Sequence, residues 1–261
     1  MSSATPRPGT GSSRASAAHG DAEGDGPSVR REGLSLWLGR QPYRPTWDLQ
    51  KRLQRARIAE ELPDLLLYTE HPPTYTIGRS GKIQNLLWSE VERERLGIEL
   101  VEVDRGGDIT YHGPGQLVGY PIVHLDSVGR DVHEYMRRLE QVLIGLMADF
   151  EIEAGRRKGL TGVWVGHEKV AAMGVRISRW VAMHGFALNV DPDLSHFSGI
   201  VPCGIQEGSV TSLARLLSRP INFEEVMPSL TRHFETNFGL ELRDEPGGSD
   251  WLDSQLRKLE G

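Results

Sequence analysis

Residues 162–190 read GVWVGHEKVAAMGVRISRWVAMHGFALNV, and this run decides the fold class. It is rich in β-branched and aromatic residues with only short interruptions, the composition of paired strands. A hairpin turning at Ser178 and Arg179 accounts for the break in the middle. On its second strand Trp180, Ala182, His184, Phe186, Leu188 and Val190 alternate with Val181, Met183, Gly185 and Ala187. Both sets are largely apolar, so the sheet must be covered on two sides or line an apolar cavity.

Working outward, helical periodicity flanks these strands. Residues 46–62 carry Leu49, Leu53, Ala56 and Ala59 at helical spacing, with Thr46 expected as N-cap. Residues 131–150 keep one apolar face for five turns, and 209–217 and 222–238 follow the strands, the last opening with Asn222 and Glu225 in capping-box spacing. Strands are expected at 65–68, 98–103 and 117–123, with Pro121 marking the last as an edge strand or a bulge. Helices at both ends of a strand-rich middle give an α+β fold in one domain, without repeats, Rossmann fingerprint or P-loop.

Residues 1–32 are Ser, Ala, Gly, Pro and scattered charge without apolar periodicity, and are expected to be disordered. The folded domain is expected over 33–243, and 244–261 as a polar Gly-Pro break with a short amphipathic helix. No apolar run approaches a membrane span, no secretory core is present, and Asp21, Glu23 and Asp25 interrupt any transit peptide, so the expectation is a cytoplasmic protein without membrane association. One cysteine excludes a disulfide framework and a multi-cysteine metal site, and the nine histidines form no helical i, i+4 pair, so no metal is expected. A net charge of −6 argues against broad nucleic-acid binding.

The chemistry concentrates in residues 104–121, DRGGDITYHGPGQLVGYP, where five of eighteen residues are glycine. That density suits a backbone moulded around something, although paired tight turns flanking a strand would also use it. Arg105, Gly106, Gly107, Asp108, Ile109, Thr110, Tyr111 and His112 put a cation, a hydroxyl, a phenol and an imidazole along one short strand, more than a turn requires. Cys203, between Pro202 and Gly204, is either inert filler or a nucleophile presented at a turn. With the hairpin tip at Ser178 and Arg179, Lys169 faces Leu188 and lies beside the loop that carries the thiol. That lysine either snorkels to solvent or is partly desolvated.

The strings HPPTYTIGR (71–79), RGGDITYHGPGQLVGYP (105–121), EKVAAMGVRI (168–177), HGFALNV (184–190) and VPCGI (201–205) resemble, in this order and spacing, the lipoyl(octanoyl) transferase family, also called lipoate-protein ligase B. The likeness runs over residues 33–240, with Asp108 and Tyr111 standing where the family varies. It implies the α+β fold shared with lipoate ligases and biotin protein ligases. It also implies transfer of an octanoyl group from octanoyl-acyl carrier protein to a lysine on lipoyl domains of 2-oxoacid dehydrogenases and on the glycine-cleavage H protein, with no cofactor. By the same resemblance Cys203 is the acyl-thioester nucleophile and Lys169 its partner. Substrate-binding segments fall on residues 105–112, on Ala172, Met173 and Gly174, and on Gly185, Phe186 and Ala187. Two other classes remain open at this point: an ATP-dependent lipoate or biotin ligase, and a non-catalytic binder of lipoyl domains.

Overall fold

A computed structural model describes residues 30–201 and 209–260. Most of the stretch expected to be disordered lies outside these residues, as does Cys203. In chain order the elements are β1 (Arg31–Arg40), α1 (Tyr43–Ile58), β2 (Asp64–Glu70), β3 (Thr74–Ile77), α2 (Glu90–Arg95), β4 (Glu99–Glu102), β5 (Ile109–His112), β6 (Gln116–Ile122), α3 (Val132–Asp149), β7 (Gly155–Arg157), β8 (Leu160–Val165), β9 (Glu168–Ser178), β10 (Val181–Asn189), α4 (Leu213–Leu217), α5 (Phe223–Phe238), β11 (Leu240–Asp244) and α6 (Gly248–Glu260). Among the described residues, eight strands form one sheet in the order β11-β1-β2-β6-β10-β9-β8-β7, and β4-β3-β5 form a second.

The apolar character of both faces of β10 is explained by cover on each side. Leu65, Leu67, Val118, Val181, Met183 and Ala187 point to α1 and α6, where Leu53, Ala56, Leu252 and Leu256 complete one core. Leu66, Leu117, Ala182, Phe186 and Leu188 point to α3 and α5 and meet Leu139, Leu143, Leu146, Leu230 and Phe234 in the other. Each fully buried leucine of this kind contributes about 1.5–3 kcal/mol. The helices are placed by their caps: Asp131 accepts from the N–H groups of His133 and Glu134 at 2.7 and 3.2 Å, and Asn222 and Glu225 form the reciprocal capping box of α5.

Four local expectations need correction. Helix α1 starts at Tyr43, not at Thr46, because Pro45 falls in the first turn, where a missing N–H costs nothing; Thr46 instead donates its hydroxyl to the Pro42 carbonyl at 2.8 Å. Helix α4 starts at Leu213 with Ser212 as cap, because residues 209–211 run beside Lys169 as an extended segment. Strand β6 is central, between β2 and β10, rather than an edge. Its register with β10 is the same at Phe186↔Gly119 and at Val181↔His124, so there is no bulge either.

The hairpin turns at Arg179 and Trp180, one residue later than expected, with φ of 45° and 65°. Two left-handed residues make the turn that matches the twist of the flanking strands. Leu188 therefore faces Ala171, not Lys169. The slip moves each partner by two positions, which leaves every side chain on its expected face. Arg179 is exposed, so its backbone cost is separable from packing. Arg179→Asn, which tolerates this region, is expected to raise stability by about 0.5 kcal/mol, and Arg179→Val to lower it by about 1 kcal/mol. Urea unfolding measures both, and equal stabilities would contradict the turn assignment.

Candidate active site

Where β8 stops pairing, the edge of β9 beyond Ala171 is left open, and the residues after Asp104 fill it. The Gly106 N–H donates to the Val175 carbonyl at 2.9 Å. The loop can come this close because residue 174 is glycine: a Cβ there would stand 2.6 Å from the Gly106 oxygen. Its far side is sewn to the turn after β3 by Arg79 N–H to Arg105 O at 2.9 Å and Ser80 N–H to Gly107 O at 3.2 Å.

Beneath the loop, the face of β9 and β10 is stripped of side chains. Ala172 pairs with Ala187 and Gly174 with Gly185, so two rows of small residues lie side by side, with Val118 next to Ala187 on β6. A cavity of about 720 Å³ opens over this floor, within the range of sites for small ligands. Arg105, Gly106, Gly107, Asp108, Ile109, Thr110 and His112 border it from the loop and β5, Lys169, Ala172, Met173 and Gly174 from β9, and Gly185, Phe186 and Ala187 from β10. Tyr111 does not. Strand alternation turns it to the opposite side, where its hydroxyl meets His196 Nδ1 at 2.7 Å. Gly185, which the resemblance put in a substrate-binding segment, borders the cavity, but a Cβ there would stand 2.2 Å from Gly119 O, so its first role is to let β6 approach.

Arg105 is buried at 7% exposure and is turned inward. Its Nη2 donates to the Thr76 carbonyl at 2.7 Å and hydroxyl at 2.8 Å, and its Nη1 to Gly106 O at 3.1 Å, so the guanidinium shapes the loop as well as bordering the cavity. Asp108 accepts from the backbone N–H groups of Ile109 and Lys82 and from the Asn85 amide, tying the loop to the 82–85 segment.

At the inner end of the cavity, Tyr43, His112 and Tyr120, with His71 beside them, are held neutral at neutral pH. Burial drives His71 down to about 4 and His112 well below the usual imidazole value, the latter helped by His71 and Arg105, while burial pushes Tyr43 up to about 12 and Tyr120 well above a normal phenol. The bonds fix the tautomers. His71 Nδ1–H donates to Gln41 O at 2.6 Å and its Nε2 accepts from the Tyr120 hydroxyl at 2.7 Å. His112 Nδ1–H donates to Gln116 Oε1 at 2.9 Å, Gln116 Nε2 donates to Asn189 Oδ1 at 2.9 Å, and Asn189 Nδ2 donates to Thr211 O at 2.9 Å. Tyr43, Tyr120, His184 and Asn189 were not anticipated; their partners are distant in sequence, and only the polar interruption of apolar strands at Tyr120, His184 and Asn189 signals them.

Lys169 stands at the end of the floor. Its backbone is held by Ser209 O and Thr211 N–H at 2.9 and 3.0 Å, and its Nζ lies 4.8 Å from the Trp164 ring centroid, a cation–π distance. It is buried, so the solvent-seeking alternative does not apply. Its neighbour is thus the segment just after residue 208 rather than Leu188. Among the described residues no group of three or more His, Cys, Asp or Glu side chains is arranged to hold a metal ion, and no helix is long and apolar enough to cross a membrane.

This is the fold of the lipoate ligases. The chain superposes on lipoate-protein ligase A bound with ATP with a TM-score of 0.69 at 17% identity, covering 87% of this chain and 94% of that one. With the bipartite lipoate protein ligase of Thermoplasma acidophilum the score is 0.68 at 17% identity, covering 88% and 92%. Residues 42–235 match the lipoyl protein ligase A/B catalytic domain, and the chain belongs to that family. Among its relatives are the octanoyltransferase of Solibacter usitatus, 50% identical over 212 residues (81% of this chain, 94% of the relative), and that of Caldicellulosiruptor saccharolyticus, 47% identical over 203 residues (77% and 86%).

The two glycines of the floor separate folding from site geometry. Gly185→Ala forces β6 and β10 apart in the centre of the sheet and is expected to cost about 3 kcal/mol, whereas Gly174→Ala lifts only the loop and is expected to cost about 1 kcal/mol. Urea unfolding gives the order, and the reverse order would contradict the assignment of Gly174 to loop contact.

Proposed function

We propose that this chain is an octanoyltransferase that moves the octanoyl group from octanoyl-acyl carrier protein to a lysine of lipoyl domains of 2-oxoacid dehydrogenases and of the glycine-cleavage H protein, through a thioester on Cys203. The observation that carries the reading is the family membership together with relatives named octanoyltransferase at up to 50% identity over most of the chain. The cavity supports it: a floor of small residues under a glycine loop, with Val118 beside it, leaves a slot for an unbranched acyl chain.

Cys203 Sγ attacks the carbonyl carbon of the carrier thioester, the bond to the carrier sulfur breaks, and the carrier leaves as its thiol with the proton that Lys169 took from Cys203. One thioester replaces another, so the step is near-neutral in free energy and needs no ATP. The acceptor lysine then attacks the Cys203 thioester, an amide forms, and Lys169 takes the amine proton and returns it to Sγ. The bonds that hold the Lys169 backbone between Ser209 and Thr211 support its place in this scheme, because they set it at the end of the small-residue floor.

Intact mass after mixing with octanoyl-acyl carrier protein alone is expected to show one added octanoyl group at Cys203, discharged on addition of a lipoyl domain, with neither event in Cys203→Ala. Full activity of that variant, or a requirement for ATP, would overturn the proposal. Ionisation of a thiol with a pKa near 8.5 can gain at most about thirtyfold at pH 7. Lys169→Ala is therefore expected to slow both half-reactions by more than that, and Lys169→Arg to restore little, since guanidinium accepts no proton. Wild-type single-turnover rates in the arginine variant would reduce Lys169 to an electrostatic neighbour.

A further inference from the structure

His184 interrupts a buried strand with φ of 57°, a region that non-glycine residues enter at a cost. Two features make this possible. Its N–H leaves the sheet and donates to Gln50 Oε1 of α1 at 2.9 Å. In the register that pairs Phe186 with Gly119 and Val181 with His124, the residue opposite on β6 is Pro121, which has no N–H to offer.

The consequence is a change of face. Ala182, Phe186 and Leu188 point toward α3 and α5, but the His184 ring reaches Asp104 and Trp47 on the α1 side. Asp104 Oδ1 accepts from His184 Nε2–H at 2.8 Å and from Trp47 Nε1–H at 3.0 Å, and Oδ2 pairs with Arg176 at 3.2 Å. Three elements, α1, β9 and β10, thus converge on the one carboxylate that precedes Arg105. Burial alone would raise Asp104, but the bond from His184, the Arg176 charge and the Trp47 N–H hold it below the usual carboxylate value; burial keeps His184 low and therefore neutral, with Nε2 as the donor.

We infer that His184 is a positioning residue for acyl binding: through Asp104 it sets the height of the Arg105–Gly107 loop above the floor of Ala172, Gly174, Gly185 and Ala187, and so the width of the acyl slot. The backbone cost at His184 is offset by this placement, because an ordinary strand conformation would aim the ring into the α3 and α5 core, away from Asp104. The inference rests on the octanoyl-transfer reading for its kinetic part and on geometry alone for the loop.

The test compares His184→Asn, which tolerates positive φ but is too short to reach Asp104, Asp104→Ala, the double variant, and His184→Gln, whose amide N–H can replace the imidazole donor. Hydrogen exchange of the Gly106 amide, measured against core amides of β10, reads the loop without substrate. The two single variants are expected to lose about tenfold in Gly106 protection relative to the β10 core and to raise the KM for the octanoyl carrier about tenfold, with kcat within about twofold. The double variant is expected to be no worse than the poorer single, and His184→Gln to recover most of both effects. Unchanged Gly106 protection in both single variants overturns the inference, as does lost protection with an unchanged KM. If the wild-type protein transfers no octanoyl group, the functional reading fails, and the exchange data still decide whether His184 holds the loop.

Discussion

The contact of the Gly106 carbonyl with the face of Gly174 is the constraint on which the site depends. It requires a residue without a side chain on β9, an open β9 edge where β8 has turned away, and a Gly106 N–H that takes the Val175 carbonyl as partner. Once the loop is seated, the space beneath it has a floor of alanine and glycine, with the Arg105 side chain lying against Gly174. The cavity is a consequence of small residues meeting in register on adjacent strands, and it persists because the large sheet is packed on both faces by helices.

Four buried polar groups at the inner end of the cavity, Tyr43, His71, His112 and Tyr120, are held neutral by burial. Burial holds His71 and His112 uncharged and their hydrogen bonds run in one direction, from His112 through Gln116 and Asn189 to Thr211, which in turn fixes the Lys169 backbone. A buried network of this kind specifies orientation when every member is satisfied. It links β5, in the small sheet, to the strand that carries the proposed proton carrier, and it does so through neutral groups.

Much of this was legible in the sequence, and the failures have physical causes. The strand run at 162–190 and its double-faced apolarity are local properties, as are the helix at 131–150 and the capping box at Asn222, so pattern sufficed. The glycine-rich run at 104–121 announced a moulded backbone, whereas the segments at 172–174 and 185–187 came from the family resemblance; that Ala172, Gly174, Gly185 and Ala187 share a face survives a turn misplaced by one residue because strand alternation is preserved. What alternation could not reveal was a residue that leaves it: His184 reads as a member of the Phe186 row, and only its backbone conformation moves it across the sheet. Tyr43 and Tyr120 meet through a pairing of α1 with the sheet that no spacing encodes, and Tyr111 was drawn into the site by its neighbours although its strand parity points it away. Pro121 suggested an edge, whereas the missing N–H is matched by a partner whose own N–H is engaged elsewhere.

The central claim, that the acyl chain lies on the small-residue floor beneath the glycine loop, is tested most directly by nuclear Overhauser contacts in the acyl-enzyme formed with a ¹³C-labelled octanoyl group. The account predicts contacts from the chain methylenes to the β-methyl groups of Ala172 and Ala187. An acyl-enzyme whose chain contacts neither alanine, and instead meets side chains of the α3 and α5 core such as Leu139 or Leu230, would contradict it.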